Sequence, residues 1–173
     1  MLGGPSDVTI DRASGTSCLP LFHWRPDAPT YGITINFGDA LFPRVVERIL
    51  GRELELVDES YRGRKFIPGG SLLHCARDAD VLWGVGLRTE EDFESNPRFR
   101  ELTVAAVRGP LTREFLLRRY RFDVPEVYGD PAILLPDLFP EWRRQPVKGR
   151  IGVVPHFRNR HDYPAGPGEP LVI

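Results

Sequence analysis

From Cys18 onward, short apolar runs alternate with amphipathic stretches. CLPLFHW, ELELVD, KFI, DVLWGVGL and LTVAAV are set apart by segments with helical spacing or the polarity of loops. Apolar runs of four to eight residues bounded by turn residues have the character of strands buried on both faces. Strands that alternate with helices build a parallel sheet, because each crossover must return over one face. The rhythm therefore predicts an α/β fold, a Rossmann-like parallel sheet with flanking helices. The apolar density of DVLWGVGL marks it as a buried central strand.

Between the strands the periodicity changes. After NFGD, the pairs Ala40/Leu41, Val45/Val46 and Ile49/Leu50 recur every four to five residues, as one face of a helix requires, and Gly51 stops the run. SLLHCARDA reads as a short helix. PLTREFLLRRY reads as another, opened by Pro110 at a first helical position and placing Leu111 with Phe115 on one face. Residues 141–150, EWRRQPVKGR, are polar and basic with one Pro and one Gly, and read as a solvated hinge; IGVVPHF then opens a new strand. The expected organisation is a loose tail over 1–17, a Rossmann-like domain over 18–140, a hinge over 141–150, and the start of a second domain over 151–173.

At 173 residues with 41% hydrophobic side chains, the chain is long enough for one compact domain and short for two of ordinary size. A net charge of -1 gives no global field to draw nucleic acid or an anionic membrane. Cys18 and Cys75 form no CxxC and no His/Cys cluster, so neither a zinc site nor a disulfide framework is indicated, and a reducing cytoplasm fits. Residues 1–17 lack the basic start and apolar run of a signal peptide, and no stretch approaches the ~18 apolar residues of a membrane span.

In an open parallel sheet, ligands bind beyond the carboxyl ends of the strands. The residues following each strand are Asn36, Gly38 and Asp39; Gly69, Gly70 and Ser71; Gly84, Gly86 and Arg88; Arg108, Gly109 and Thr112; Gly129 and Asp130; and His156 and Arg158. Asp39 is either a helix cap or a carboxylate that orients hydroxyl groups; a carboxylate there opposes a phosphate site, since it competes for the same amides. Arg108, at a strand end before Gly-Pro and a helix start, either binds a phosphate or carboxylate or holds an acidic neighbour such as Asp130. His74 reads as a residue of a helix face and Trp83 as core. His156 has the chemistry of a general acid near neutral pH.

Taken in order, NFGDAL, GGSLLH, VLWGVG, VRGPLT, GDPAILLP and VVPHF resemble the successive motifs of the bacterial polysaccharide pyruvyl transferase family, from about Leu21 to Tyr163. The resemblance implies two facing Rossmann-like domains in a GT-B-like arrangement. It also implies transfer of pyruvate from phosphoenolpyruvate to two saccharide hydroxyls as a ketal, with no metal or organic cofactor. By the same resemblance Arg108 binds the donor anion, Asn36 and Asp39 serve the acceptor, and His156 and Arg158 lie at the cleft edge. Gly38, Gly70, Ser71 and Asp130 complete the expected substrate-binding set, and His156 and Asp39 the expected catalytic set. The acceptor would be a lipid- or nucleotide-linked saccharide in exopolysaccharide assembly.

The Ser-Ser-x-x-His-Gly-like block of the family's second domain has no counterpart here. The chain thus reads as an amino-terminal part, inactive alone, with an unpaired IGVVPHF strand that favours self-association or a missing carboxyl-terminal half. Two alternatives stand beside this reading. One is a GT-B-like glycosyltransferase, and the other is a non-catalytic domain that binds a partner chain or a saccharide.

Overall fold

The structure is a computed structural model. It describes residues 19–25, 37–93 and 99–143, together with 145, 148, 149, 152, 153, 162, 171 and 172. The candidates Asn36, His156 and Arg158, the tail 1–17, and most of 144–173 lie outside the described residues.

Five strands, β1 (Leu19–Phe22), β2 (Leu54–Val57), β3 (Phe66–Ile67), β4 (Val81–Val85) and β5 (Thr103–Val107), form one sheet in the order β2-β1-β3-β4-β5. Every pairing is parallel. The α/β reading holds, and the strand order is that of the flavodoxin-like doubly wound sheets. DVLWGVGL does form a strand, but β3 occupies the middle and β4 lies second from the β5 edge. Apolar density reports burial on both faces, which β4 shares with its neighbours.

Helices cover both faces. Along β4, Leu82 joins a core with Phe22, Ile67, Phe93, Phe99, Phe115 and Leu116, whereas Trp83 packs against Leu41, Val45 and Phe139. Adjacent strand residues point to opposite faces, so these two clusters are the two sides of the sheet. Helix α1 (Phe37–Leu50) supplies Leu41 and Val45 to the Trp83 side, and α2 (Pro110–Tyr120) supplies Phe115 and Leu116 to the other. Trp83, expected in the core, is half-buried at its margin and stacks on Phe66 with ring centroids 6.2 Å apart.

Several local expectations are corrected. Leu111 and Phe115 do not share a buried face: Leu111 is 78% exposed while Phe115 is buried with Thr112 and Leu116. SLLHCARDA contracts to a single 3-10 turn, Leu73–Cys75. A further 3-10 turn, Pro131–Leu134, runs directly into the short helix α3 (Leu135–Leu138). IGVVPHF is not unpaired, because β6 (Gly152–Val153) pairs in parallel with β7 (Leu171–Val172) in a separate two-stranded sheet. Among the described residues, no helix is long and apolar enough to cross a membrane.

The amino end of the sheet carries a buried ion pair. Register aligns Phe66 with Val81, so the residues just before them, Lys65 and Asp80, meet at one level of the sheet. Lys65 Nζ donates to Asp80 Oδ2 at 2.5 Å, with both side chains buried. The same carboxylate accepts the main-chain N–H of Lys65 at 3.1 Å and of Arg77 at 2.9 Å. The ammonium also lies over the Phe22 ring, 5.9 Å from its centroid.

Candidate functional site

The carboxyl end of the sheet is built differently. From β1 the chain enters α1 on the Trp83 side, while from β3 it enters the Leu73 turn on the opposite side. Connections that leave adjacent strands in opposite directions open a crevice between them, the switch point at which doubly wound sheets bind ligands. His23, Asp39, Gly69, Gly70 and Ser71 stand at this point.

Asp39 occupies the first turn of α1 and is buried, only 7% exposed. A Cβ on Gly70, where φ is +74°, would come within 2.9 Å of Asp39 Oδ1, so the carboxylate rests against a backbone that only glycine supplies without strain. Burial, and then the charge of Asp130, push the Asp39 carboxyl up to about 6. Asp130 itself caps the Pro131–Leu134 turn, its Oδ1 accepting from the Ala132 N–H at 3.0 Å. A carboxyl raised in this way changes charge closer to neutral pH than an ordinary aspartate does.

Arg108 follows β5 and stretches over the end of β4. Its Nη1 donates to Ser71 Oγ at 3.0 Å, beyond β3. A Cβ on Gly86 would lie within 2.6 Å of the guanidinium, so the bare backbone of Gly86 makes this crossing possible. The alternative role, an ion pair with Asp130, is not what the structure forms: among the described residues, Arg108 is in no salt bridge and remains exposed. The Gly70–Ser71 loop is held at the level of β4 by the Gly86 N–H, which donates to the Gly70 carbonyl at 2.8 Å.

Other candidates are occupied elsewhere. Arg88 makes a two-pronged pair with Asp92, at 3.1 and 2.7 Å. Thr112 Oγ1 accepts from the Leu87 N–H at 3.0 Å and fastens α2 to the end of β4. His74 is half-buried in its turn; the Asp92 carboxyl is lowered chiefly by its bond from Arg88, with His74 adding a smaller contribution. Gly38 lies beside Asp39 in the first turn of α1, and Gly84 lies where β4 shifts register against β5. No group of three or more potential metal ligands occurs among the described residues.

His23 was missed because CLPLFHW reads as a strand through its Trp. The strand ends at Phe22, which makes His23 the first residue past a carboxyl end, the position that should have singled it out. It is 7% exposed, and Arg25 Nε donates to its Nε2 at 2.9 Å. Burial, and then the Arg25 charge, hold the imidazole below its ordinary value, while the main chain of Asp39 acts in the opposite sense.

The chain matches no family model, no curated protein and no solved structure.

Proposed function

We propose that the chain is a polysaccharide pyruvyl transferase-like protein whose switch-point crevice takes phosphoenolpyruvate at Arg108 and a saccharide hydroxyl at Asp39. The observation that supports this reading is that the Gly70–Ser71 loop is flanked by two opposite functions. Ser71 bonds the Arg108 guanidinium, and Gly70 backs the Asp39 carboxyl that titrates at about 6. An accessible cation suits the carboxylate or phosphate of the donor. A carboxyl with that pKa is mostly ionised at pH 7 and suited to accept a hydroxyl proton.

Ketal formation under this proposal starts with protonation of the donor's methylene carbon, which generates a cationic centre at C2. One saccharide hydroxyl adds to C2 and loses its proton. Phosphate then departs with its bonding electron pair, and the second hydroxyl adds to the renewed cationic centre with loss of a second proton. Each step needs charge held in place and hydroxyls oriented, tasks within reach of Arg108, Ser71 and Asp39. The GT-B-like arrangement belongs to the same proposal: a second Rossmann-like domain would face this edge, with His156 as general acid and Arg158 at its border. The reaction so drawn calls on no metal or organic cofactor and takes a lipid- or nucleotide-linked saccharide made in the cytoplasm.

The test is direct titration of the 173-residue protein with phosphoenolpyruvate, inorganic phosphate and a nucleotide sugar, followed by two-dimensional NMR. Phosphoenolpyruvate should shift the amide resonances of Gly70, Ser71 and Arg108, and Arg108→Ala should abolish the shifts. Shifts with the nucleotide sugar alone would transfer the crevice to a glycosyltransferase.

A further inference from the structure

Gly86 is the first residue past β4, and it is buried. Its main chain is pinned toward β3 by two hydrogen bonds: its N–H donates to the Gly70 carbonyl at 2.8 Å, and its carbonyl accepts from the Leu73 N–H at 3.3 Å. Toward β5, the Arg108 N–H donates to the Val85 carbonyl at 3.0 Å, which fixes the root of the arginine side chain beside the same strand end. A guanidinium that starts after β5 and ends on Ser71, after β3, must pass over Gly86. Its attitude in passing follows from the contacts. A Cβ on Gly86 would meet Cζ of Arg108 at 2.5 Å and Nε at 2.6 Å, with Nη2 as near. An approach in the guanidinium plane, from the Nε–Nη2 edge, would leave Cζ farther away than the two nitrogens. Gly86 therefore lies against the flat face of the group.

The N–H bonds of a guanidinium lie in its plane, so a face laid on bare backbone occupies none of its donors. Nη1 is spent on Ser71, while among the described residues Nε and Nη2 have no hydrogen-bond partner. Those two N–H groups are adjacent and match the spacing of two oxygens on one acid group. We propose that Gly86 is a positioning residue for Arg108: lacking a side chain, it lets the guanidinium lie flat across the end of β4, so that the Nε–H and Nη2–H edge takes two oxygens of one carboxylate or phosphate side-on. The inference rests on the reading of Arg108 as the donor's anion site, and it deepens that reading by naming the edge that binds and what orients it. The backbone itself does not call for glycine here, since Gly86 is not among the glycines with positive φ. Alanine suits the main chain, and the three atoms its methyl group would meet first all belong to the guanidinium.

The test compares wild type, Gly86→Ala, Arg108→Ala, Arg108→Lys and the Gly86→Ala/Arg108→Ala double variant. Each is titrated with inorganic phosphate, pyruvate and phosphoenolpyruvate by calorimetry and unfolded by heat. Gly86→Ala should weaken anion binding about ten- to a hundredfold, the loss expected for hydrogen bonds to a charged group. Arg108→Lys should fall nearly as far as Arg108→Ala, because an ammonium keeps the charge without the paired edge. The double variant should match Arg108→Ala in both binding and thermal stability, since the added methyl acts only through the guanidinium. Wild-type affinity in Gly86→Ala or Arg108→Lys, losses that add in the double variant, or a wild type that binds none of the three probes would overturn the proposal. Should Gly86→Ala alone not fold, the double variant decides: recovery to the stability of Arg108→Ala supports the assignment, and failure to recover defeats it. Binding of phosphate or pyruvate that depends on Gly86, without binding of phosphoenolpyruvate, would support the seat and remove the pyruvyl-transfer reading; phosphoenolpyruvate binding indifferent to Gly86→Ala would do the reverse.

Discussion

The two ends of the sheet use the same kinds of side chain to opposite effect. At the amino end, Asp80 is buried with a lysine ammonium and two main-chain N–H groups on its oxygens. At the carboxyl end, Asp39 is buried beside a second carboxylate, and the accessible cation Arg108 is held by a serine hydroxyl instead of an acid. A buried carboxylate with its acceptor sites filled fixes the structure and has little left to offer a ligand. A buried carboxyl raised toward neutrality, set against the same short loop that holds an accessible guanidinium, keeps its capacity for chemistry. The difference lies in partners, not in residue types.

The largest effect that sharpens this contrast is expected from Asp80→Ala. It strands a buried ammonium and two N–H groups and should cost about 3–5 kcal/mol of stability, read by urea denaturation. Lys65→Met should cost less, because two main-chain donors remain on the carboxylate. At the other end, Arg108→Ala should leave stability within about 0.5 kcal/mol of wild type. It should weaken phosphoenolpyruvate binding by about 1.5–3 kcal/mol in calorimetry, the scale of a hydrogen bond to a charged group. A destabilised Arg108→Ala protein would erase the distinction between the ends.

Asp39→Asn is expected to act in the opposite direction on the fold. Because the folded-state pKa of about 6 lies above the ordinary 3.8, the folded protein binds this proton more tightly than the unfolded chain. That stabilising contribution is fully present below pH 3.8 and is lost as the pH rises through about 6. Removing the ionisable group should flatten stability across this window and raise it by about 1–2 kcal/mol at about pH 7.5, less than the full shift would give because the site is not dry. Under the pyruvyl-transfer proposal, acceptor-dependent phosphate release by the protein complemented with its expected carboxyl-terminal half should fall in the same variant. The smallest effect is expected from Leu111→Ala, at an exposed position on the rim, which should change unfolding by less than about 0.5 kcal/mol. Its buried counterpart on the same helix sets the scale, since Phe115→Ala should cost about 3–5 kcal/mol.

How far the sequence was legible depends on the range of the signal. Helix α2 begins at Pro110 as read, because proline at a first helical position is a local cue. The helical face was misread for an equally local reason. Leu111 with Phe115 and Thr112 with Leu116 both satisfy the i, i+4 spacing, and packing buries Phe115 together with Thr112 and Leu116 while Leu111 stays exposed. The Lys65–Asp80 pair left no trace, since each residue precedes a strand and looks like a solvated loop charge until the β3–β4 register sets them side by side. At the carboxyl edge, position after a strand is what singles out Arg108 and Asp39 in the sequence. That Arg108 would bond Ser71 across a whole strand depends on sheet order, which no local spacing records.

The same order bears on the sequence of events in folding. Pairing of β3 with β4 joins Phe66 to Val81, and pairing of β4 with β5 joins Val81 to Thr103, both over short stretches of chain. Pairing of β1 with β3 must join Leu21 to Phe66, after the whole excursion through α1 and β2. Loop closure over the longer span costs more entropy and yields its contacts later, so β3, β4 and β5 are expected to pair first and β1 to dock onto them. The seam between the early and late halves runs between His23 and Gly70, through the crevice itself. In hydrogen exchange, the amides of β1 and the first turn of α1 should therefore open at lower free energy than those of β4, which puts the crevice on the most readily parted join of the sheet.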